Sequence, residues 1–209
     1  ATADGAIAIG ALANANGIGS TVVGQGSNAT GYASTALGAG VRASGNYSLA
    51  QGFLSNASGE SSIALGNVSR ASNQYSIAIG NMSNASVYNS IALGNNSYTG
   101  MASDIAIGDR AKTNTNGIGG NPATIAIGMN ANASDAGSVA LGANSNATGT
   151  ASMALGIATT ATGKHSVALG DGSQATGVGA VSIRGIANGY YSTAIGAAIA
   201  SANYSIAQG

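Results

Sequence analysis

The 209-residue chain has no cysteine and no tryptophan, and only one proline and one phenylalanine. Without cysteine there is no disulfide staple and no thiolate ligand. Repeat stacks dispense with disulfides, so this absence does not place the chain in the cytosol. With one phenylalanine and no tryptophan, the chain is poor in the usual core formers of a globular domain. Charge is equally scarce: six basic and six acidic residues leave a formal net charge of zero. No basic cluster exists for nucleic acid or anionic lipid. Apolar residues come in short runs broken by Gly, Ser and Asn. None approaches the ~18–20 residues of a membrane-spanning helix. No secretory leader is visible either, so a mature or excised piece is expected.

What the chain has in abundance is glycine, 34 residues in all, and much of it keeps a beat. Fifteen times a small residue leads into Ile-Ala-Leu-Gly or a variant, as in Ser62–Gly66, Ser76–Gly80, Ser90–Gly94, Ser138–Gly142 and Ser166–Gly170. Gly10, Gly24, Gly38, Gly52, Gly66, Gly80, Gly94 and Gly108 stand 14 apart, and Gly128, Gly142, Gly156 and Gly170 resume the series. A period this short predicts one elongated array of similar coils, read as a surface and not as a pocket.

Within a unit, Ser138-Val139-Ala140-Leu141-Gly142 alternates small and large, the period of a strand. Val139 and Leu141 share one side; Ser138, Ala140 and Gly142 share the other. A second short alternation follows through Ala143–Gly149, giving two strands and two turns per coil. Recurrent Gly, β-branched residues and Asn/Ser, with no 3.6-residue stripe, exclude helix. Stacked coils would pair in parallel ladders. Two large apolar side chains per coil fall short of the ordering cost of fourteen residues. A further apolar interface is therefore expected. The other strand face offers a column of alanines for it: Ala64, Ala78, Ala92, Ala106, Ala126, Ala140, Ala154 and Ala168. A soluble protein rarely exposes such a stripe, so self-association along these alanines is expected.

The S-V/I-A-I/L-G motif, followed by x-x-A/S-x-A-T/S-G at fourteen residues per turn, resembles the YadA-like head of trimeric autotransporter adhesins. The resemblance covers essentially the whole chain in many in-phase copies. It implies an all-β, left-handed parallel β-roll (a β-solenoid) assembled as a homotrimer, with residues 1–209 as a single head domain. It also implies display on a stalk at the outer membrane of a Gram-negative bacterium. Neither a neck motif, nor stalk heptads, nor a membrane anchor is present, so a fragment of a longer adhesin is expected. Three intervals depart from the pattern. Asp109–Thr124 carries six extra residues between Gly108 and Gly128, the step from Gly185 to Gly196 is eleven, and the last is thirteen.

Motifs that look chemical dissolve into the repeat. Gly38-Ala39-Gly40-Val41-Arg42-Ala43 matches a dinucleotide fingerprint, but it recurs at Gly24–Ala29 and Gly170–Ala175 and no helix follows to hold a phosphate. His165 lies beside Ser166, yet occupies the turn column held by Tyr47, Tyr75 and Asn89 in other coils. The scattered carboxylates offer no close pair for glycoside hydrolysis and no calcium-loop spacing. No enzymatic role, cofactor or metal is expected.

The candidates for a ligand surface are Tyr32, Tyr47, Tyr75 and Tyr88, with Tyr190, Tyr191 and Tyr204 in equivalent turns. Tyrosine supplies rigid contact area with a polar tip; the other reading is rings that stack to shield one edge. Arg42 and Arg70 share a column, as a solubilising charge or a ligand contact. Arg110, Lys112 and Pro122 belong to the insertion, which serves function or clasps a neighbouring chain. Ten N-x-S/T triplets occur, mostly as by-products of the repeat.

Expected partners are two identical chains and a host matrix protein such as collagen, fibronectin or laminin, or another cell surface. Weak contacts repeated along the array and across chains add by avidity. Through the resemblance, collagen binding maps to the repeated strand, Ser138–Gly142 and Ser166–Gly170. Nucleic acid is not expected, and membrane only through an anchor outside this fragment. The alternative is a passive spacer that presents a binding tip elsewhere. Ice binding ranks lower, for only one Ser/Thr column is evident.

Overall fold

The computed structural model describes residues 1–113 and 123–209, in two compact units, Ala1–Ser103 and Asp104–Gly209. Among the described residues every regular element is a strand and none is a helix. Each unit is a parallel β-solenoid. Its coil holds one three-residue strand and one two-residue strand, such as Ile63–Leu65 followed by Arg70–Ala71.

In the first unit the three-residue strands from Ile7–Ile9 to Ile91–Leu93 stack in chain order into one parallel sheet. The two-residue strands from Asn14–Ala15 to Tyr98–Thr99 make another. The register advances by one repeat: Ile63 pairs with Ile77, Ala64 with Ala78, and Leu65 with Ile79. Beside them Arg70 pairs with Asn84 and Ala71 with Ala85. Identical residues thus line up in columns.

The second unit runs from Ile105–Ile107 to Ile206–Gln208 in its long strands and from Lys112–Thr113 to Ile199–Ala200 in its short ones. Here two expectations need correction. Lys112 and Thr113 pair in register with Asn132 and Ala133, and the Asp109 carbonyl accepts the Asn130 N–H at 2.8 Å. Asp109–Thr113 therefore complete an ordinary coil, and the extra residues lie between Thr113 and Thr124. Arg110 and Lys112 belong to the regular stack, while Pro122 lies outside the described residues. Near the carboxyl end Leu169 pairs with Ile183 and Ile183 with Ile195. Arg184, not Gly185, therefore follows the strand as Gly170 does, and the shortening falls in the turn before Ile186.

The interior is built from the smallest side chains. Ala64, Ala78, Ala71 and Ala85 are fully buried, as are Ser62, Ser69, Ser76 and Ser83. The serines satisfy themselves locally: the Ser62 hydroxyl donates to the Gly59 carbonyl at 2.7 Å and Ser83 to Gly80 at 3.0 Å. A hydroxyl that turns onto a backbone carbonyl three residues earlier closes a corner and removes a buried polar cost.

Two corners per coil hold one residue each in the left-handed region, whatever its type. One column contains Ala33, Tyr47, Ser61, Tyr75 and Asn89, with φ between 49° and 58°; the other contains Leu54, Val68 and Met82 at 52° to 54°. Each conformation is held by an N–H bonded to the preceding coil, as Tyr47 to the Tyr32 carbonyl at 2.7 Å and Val68 to Phe53 at 2.8 Å. Such φ values disfavour residues with a Cβ, and the ladder overrides that preference. The first position of the turn that holds Tyr47 favours glycine on other grounds. A Cβ on Gly45 would lie 1.9 Å from the Gly59 carbonyl oxygen of the next coil. Where Asn73 replaces the glycine, its Oδ1 accepts the Gln74 N–H at 2.9 Å, and Asp135 repeats the device with Ala136 at 2.7 Å.

Candidate functional site

The long-strand sheet turns its large residues outward. Ile63, Leu65, Ile77 and Ile79 are half-buried, and Leu93, Ile127, Leu141 and Leu169 are more than a third exposed. Each unit thereby presents two aliphatic columns on one flat face. Such a surface is what a partner of similar shape covers.

This reverses the expected facing. Ala64, Ala78, Ala92, Ala106, Ala126, Ala140, Ala154 and Ala168 are all fully buried within their own coils. A side chain with no exposed surface cannot meet a second chain, so these alanines are core and not interface. The physical reason is width. Strands of three and two residues, closed by tight corners, enclose space mostly for methyl and hydroxymethyl groups, with Val22, Val41 and a few threonines among the largest buried side chains. The aliphatic side chains are displaced outside and form the exposed apolar face.

The tyrosines stand where the turn columns put them. Tyr32, Tyr47, Tyr75 and Tyr88 are exposed and associate in edge-on pairs, Tyr32–Tyr47 with ring centroids at 5.4 Å and Tyr75–Tyr88 at 5.9 Å. In the second unit Tyr190, Tyr191 and Tyr204 form a triplet, with Tyr190–Tyr191 centroids 4.6 Å apart. The Tyr190 phenol is held above the ordinary tyrosine range, first by the neighbouring Tyr191 charge, then by lost hydration and by its Tyr191 hydrogen bond, and last by Tyr204. Ring contact and solvent access coexist, so stacking does not remove these rings from the surface.

The short-strand sheet turns polar groups outward. Arg42 and Arg70 are exposed between Asn28, Asn56 and Asn84. Lys112 is exposed on its strand in the second unit, and Arg110 sits at a corner with its guanidinium 3.0 Å from Asp109. His165 takes the left-handed corner at φ 57°, its N–H on the Thr150 carbonyl at 2.9 Å. It is an exposed turn residue. Among the described residues no three His, Cys, Asp or Glu side chains converge as a metal site.

With surface and core assigned, comparison with known proteins adds the family. The model of the YadA head domain repeat matches residues 1–27, 15–40, 43–69, 71–97, 123–145, 147–173 and 161–183. The chain belongs to the YadA head family. Among solved structures, the collagen-binding domain of the Yersinia adhesin YadA is 32% identical. The match covers 62% of this chain and 69% of that one, with a TM-score of 0.53. Among curated proteins none matches. In a YadA head the repeated strand thus has two duties: Ser and Ala fill the coil, and Ile, Val and Leu face outward. The sequence contained one signal for this, since the residue before most of the long strands is a Ser or Thr able to cap a corner internally.

Proposed function

We propose that this chain is the head of a bacterial surface adhesin that works as a homotrimer and binds host matrix proteins or cell surfaces. The observation that carries the reading is the aliphatic face of the long-strand sheet in a chain of the YadA head family. Columns of Ile, Val and Leu, replicated in nearly every coil, are the right chemistry for a self-complementary seam between copies of one chain. Two further copies are the proposed occupants of that seam. Each copy would then present its tyrosine turns and its polar sheet away from it. Tyr32, Tyr47, Tyr75, Tyr88, Arg42, Arg70, Arg110 and Lys112 stand as ligand-contact candidates.

Collagen, fibronectin and laminin are the ligands to test first, collagen because the similar Yersinia domain is named for binding it. Binding would rest on many weak contacts and not on a pocket, so no catalytic step is assigned. Display on a Gram-negative outer membrane, with residues 1–209 as one head domain of a longer adhesin, is part of the same reading.

Two measurements test it. Light scattering should give about three times the 19.7 kDa chain mass; a monomer with intact β-sheet circular dichroism refutes the seam. Solid-phase binding to a panel of matrix proteins should give saturable binding to at least one. Silence across the panel, from a trimer of full mass, leaves a spacer.

A further inference from the structure

In the first unit the outward row of the short-strand sheet reads Asn14, Asn28, Arg42, Asn56, Arg70, Asn84 and Tyr98. Two residues beyond the first six of these stand Asn16, Thr30, Ser44, Ser58, Ser72 and Ser86, exposed or half-exposed. The face is therefore a lattice of amides and hydroxyls carrying two guanidinium groups and no carboxylate.

Arg42 is costly to the fold. In the second unit, where asparagine follows asparagine, the Asn132 amide donates to Asn146 Oδ1 at 2.9 Å, one rung of a side-chain ladder. In the first unit Arg42 occupies the position whose amide would donate to Asn56, and Asn56 Oδ1 is buried without a hydrogen-bond partner. An unsatisfied buried acceptor is unfavourable, and neither Arg42 nor Arg70 recovers the loss through an ion pair among the described residues. A local rule broken without structural gain marks a position held for another purpose.

We propose that this row is a binding face for a linear acidic polysaccharide lying along the stack. Arg42 and Arg70 stand two coils apart, roughly 10 Å at the strand spacing. They meet successive sulfates or carboxylates, while Asn28, Asn56, Asn84 and the hydroxyl row bond the sugar hydroxyls between them. Bidentate guanidinium contacts give the anions their register. Duplex DNA carries a charge every ~1.7 Å of its axis and calls for a denser row of cations than this one. The inference goes beyond the matrix-protein reading and needs no protein ligand.

The test is biolayer interferometry of the whole chain on immobilised heparin at low ionic strength, with DNA of matched charge as comparator. The parent chain binds heparin more tightly than DNA. Arg42→Asn/Arg70→Asn, which restores the repeat's own residue, weakens binding by at least about tenfold without lowering the melting temperature. Lys164→Gln/Arg184→Gln removes the same charge from exposed turns and leaves binding close to that of the parent. Absence of heparin binding, equal binding to DNA, or an equal loss in both double variants overturns the proposal.

Discussion

The two sheets of a coil share one interior and differ in their exteriors. Inward, the long strand offers Ala78 and the short strand Ala85, both fully buried. Outward, the long strand offers Ile77 and Ile79, and the short strand offers Asn84. The fold therefore specifies only what points inward, and chemistry outside is free to diverge. One exterior suits a seam between like chains; the other suits water and polar ligands.

The comparison is broken most severely from inside. Ala78→Leu and Ala85→Leu should each destabilise by about 2–3 kcal/mol, since leucine exceeds the largest residues these inward columns hold, such as Val22 and Thr99. Thermal unfolding by circular dichroism reads this, and a tolerated leucine in either sheet would show a wider interior. Charges on the outside should separate the sheets. Ile77→Asp is expected to abolish the trimer in light scattering, whereas Asn84→Asp leaves the mass unchanged. Equal behaviour of the two would end the assignment of different roles. A smaller effect sharpens the polar side: Asn132→Ala removes one ladder bond and should cost about 0.5–1.5 kcal/mol, without changing oligomeric mass. The smallest concerns the corner between the sheets. In an alkaline absorbance titration Tyr190 should ionise later than an ordinary tyrosine, and Tyr191→Phe should bring it back toward the usual range. An unchanged titration curve would deny that the two phenols interact.

Much of this fold was legible in the sequence, because a strict period with glycine at fixed offsets leaves few architectures. The β-solenoid, the fourteen-residue register and the placement of His165 in the turn column with Tyr47 and Tyr75 all follow from spacing. Facing was not legible. Alternation divides Ser138 and Ala140 from Val139 and Leu141, but does not say which pair is inside. Habit puts the larger pair in the core, whereas the corner geometry admits only the smaller. Glycine counting also misplaced the unit end at Gly185, because the left-handed corner accepts Arg184 when its N–H keeps the ladder bond to the Leu169 carbonyl. The outward rows were legible as columns, yet the unpartnered Asn56 Oδ1 beside Arg42 required coordinates.

The left-handed corners carry one more consequence. Because a neighbouring coil supplies the bond that fixes Tyr47, Ser61, Tyr75 and Asn89 in the same backbone shape, side-chain identity at these points is nearly independent of folding. Substitutions there can change the exposed surface one position at a time while every winding beneath stays as it was.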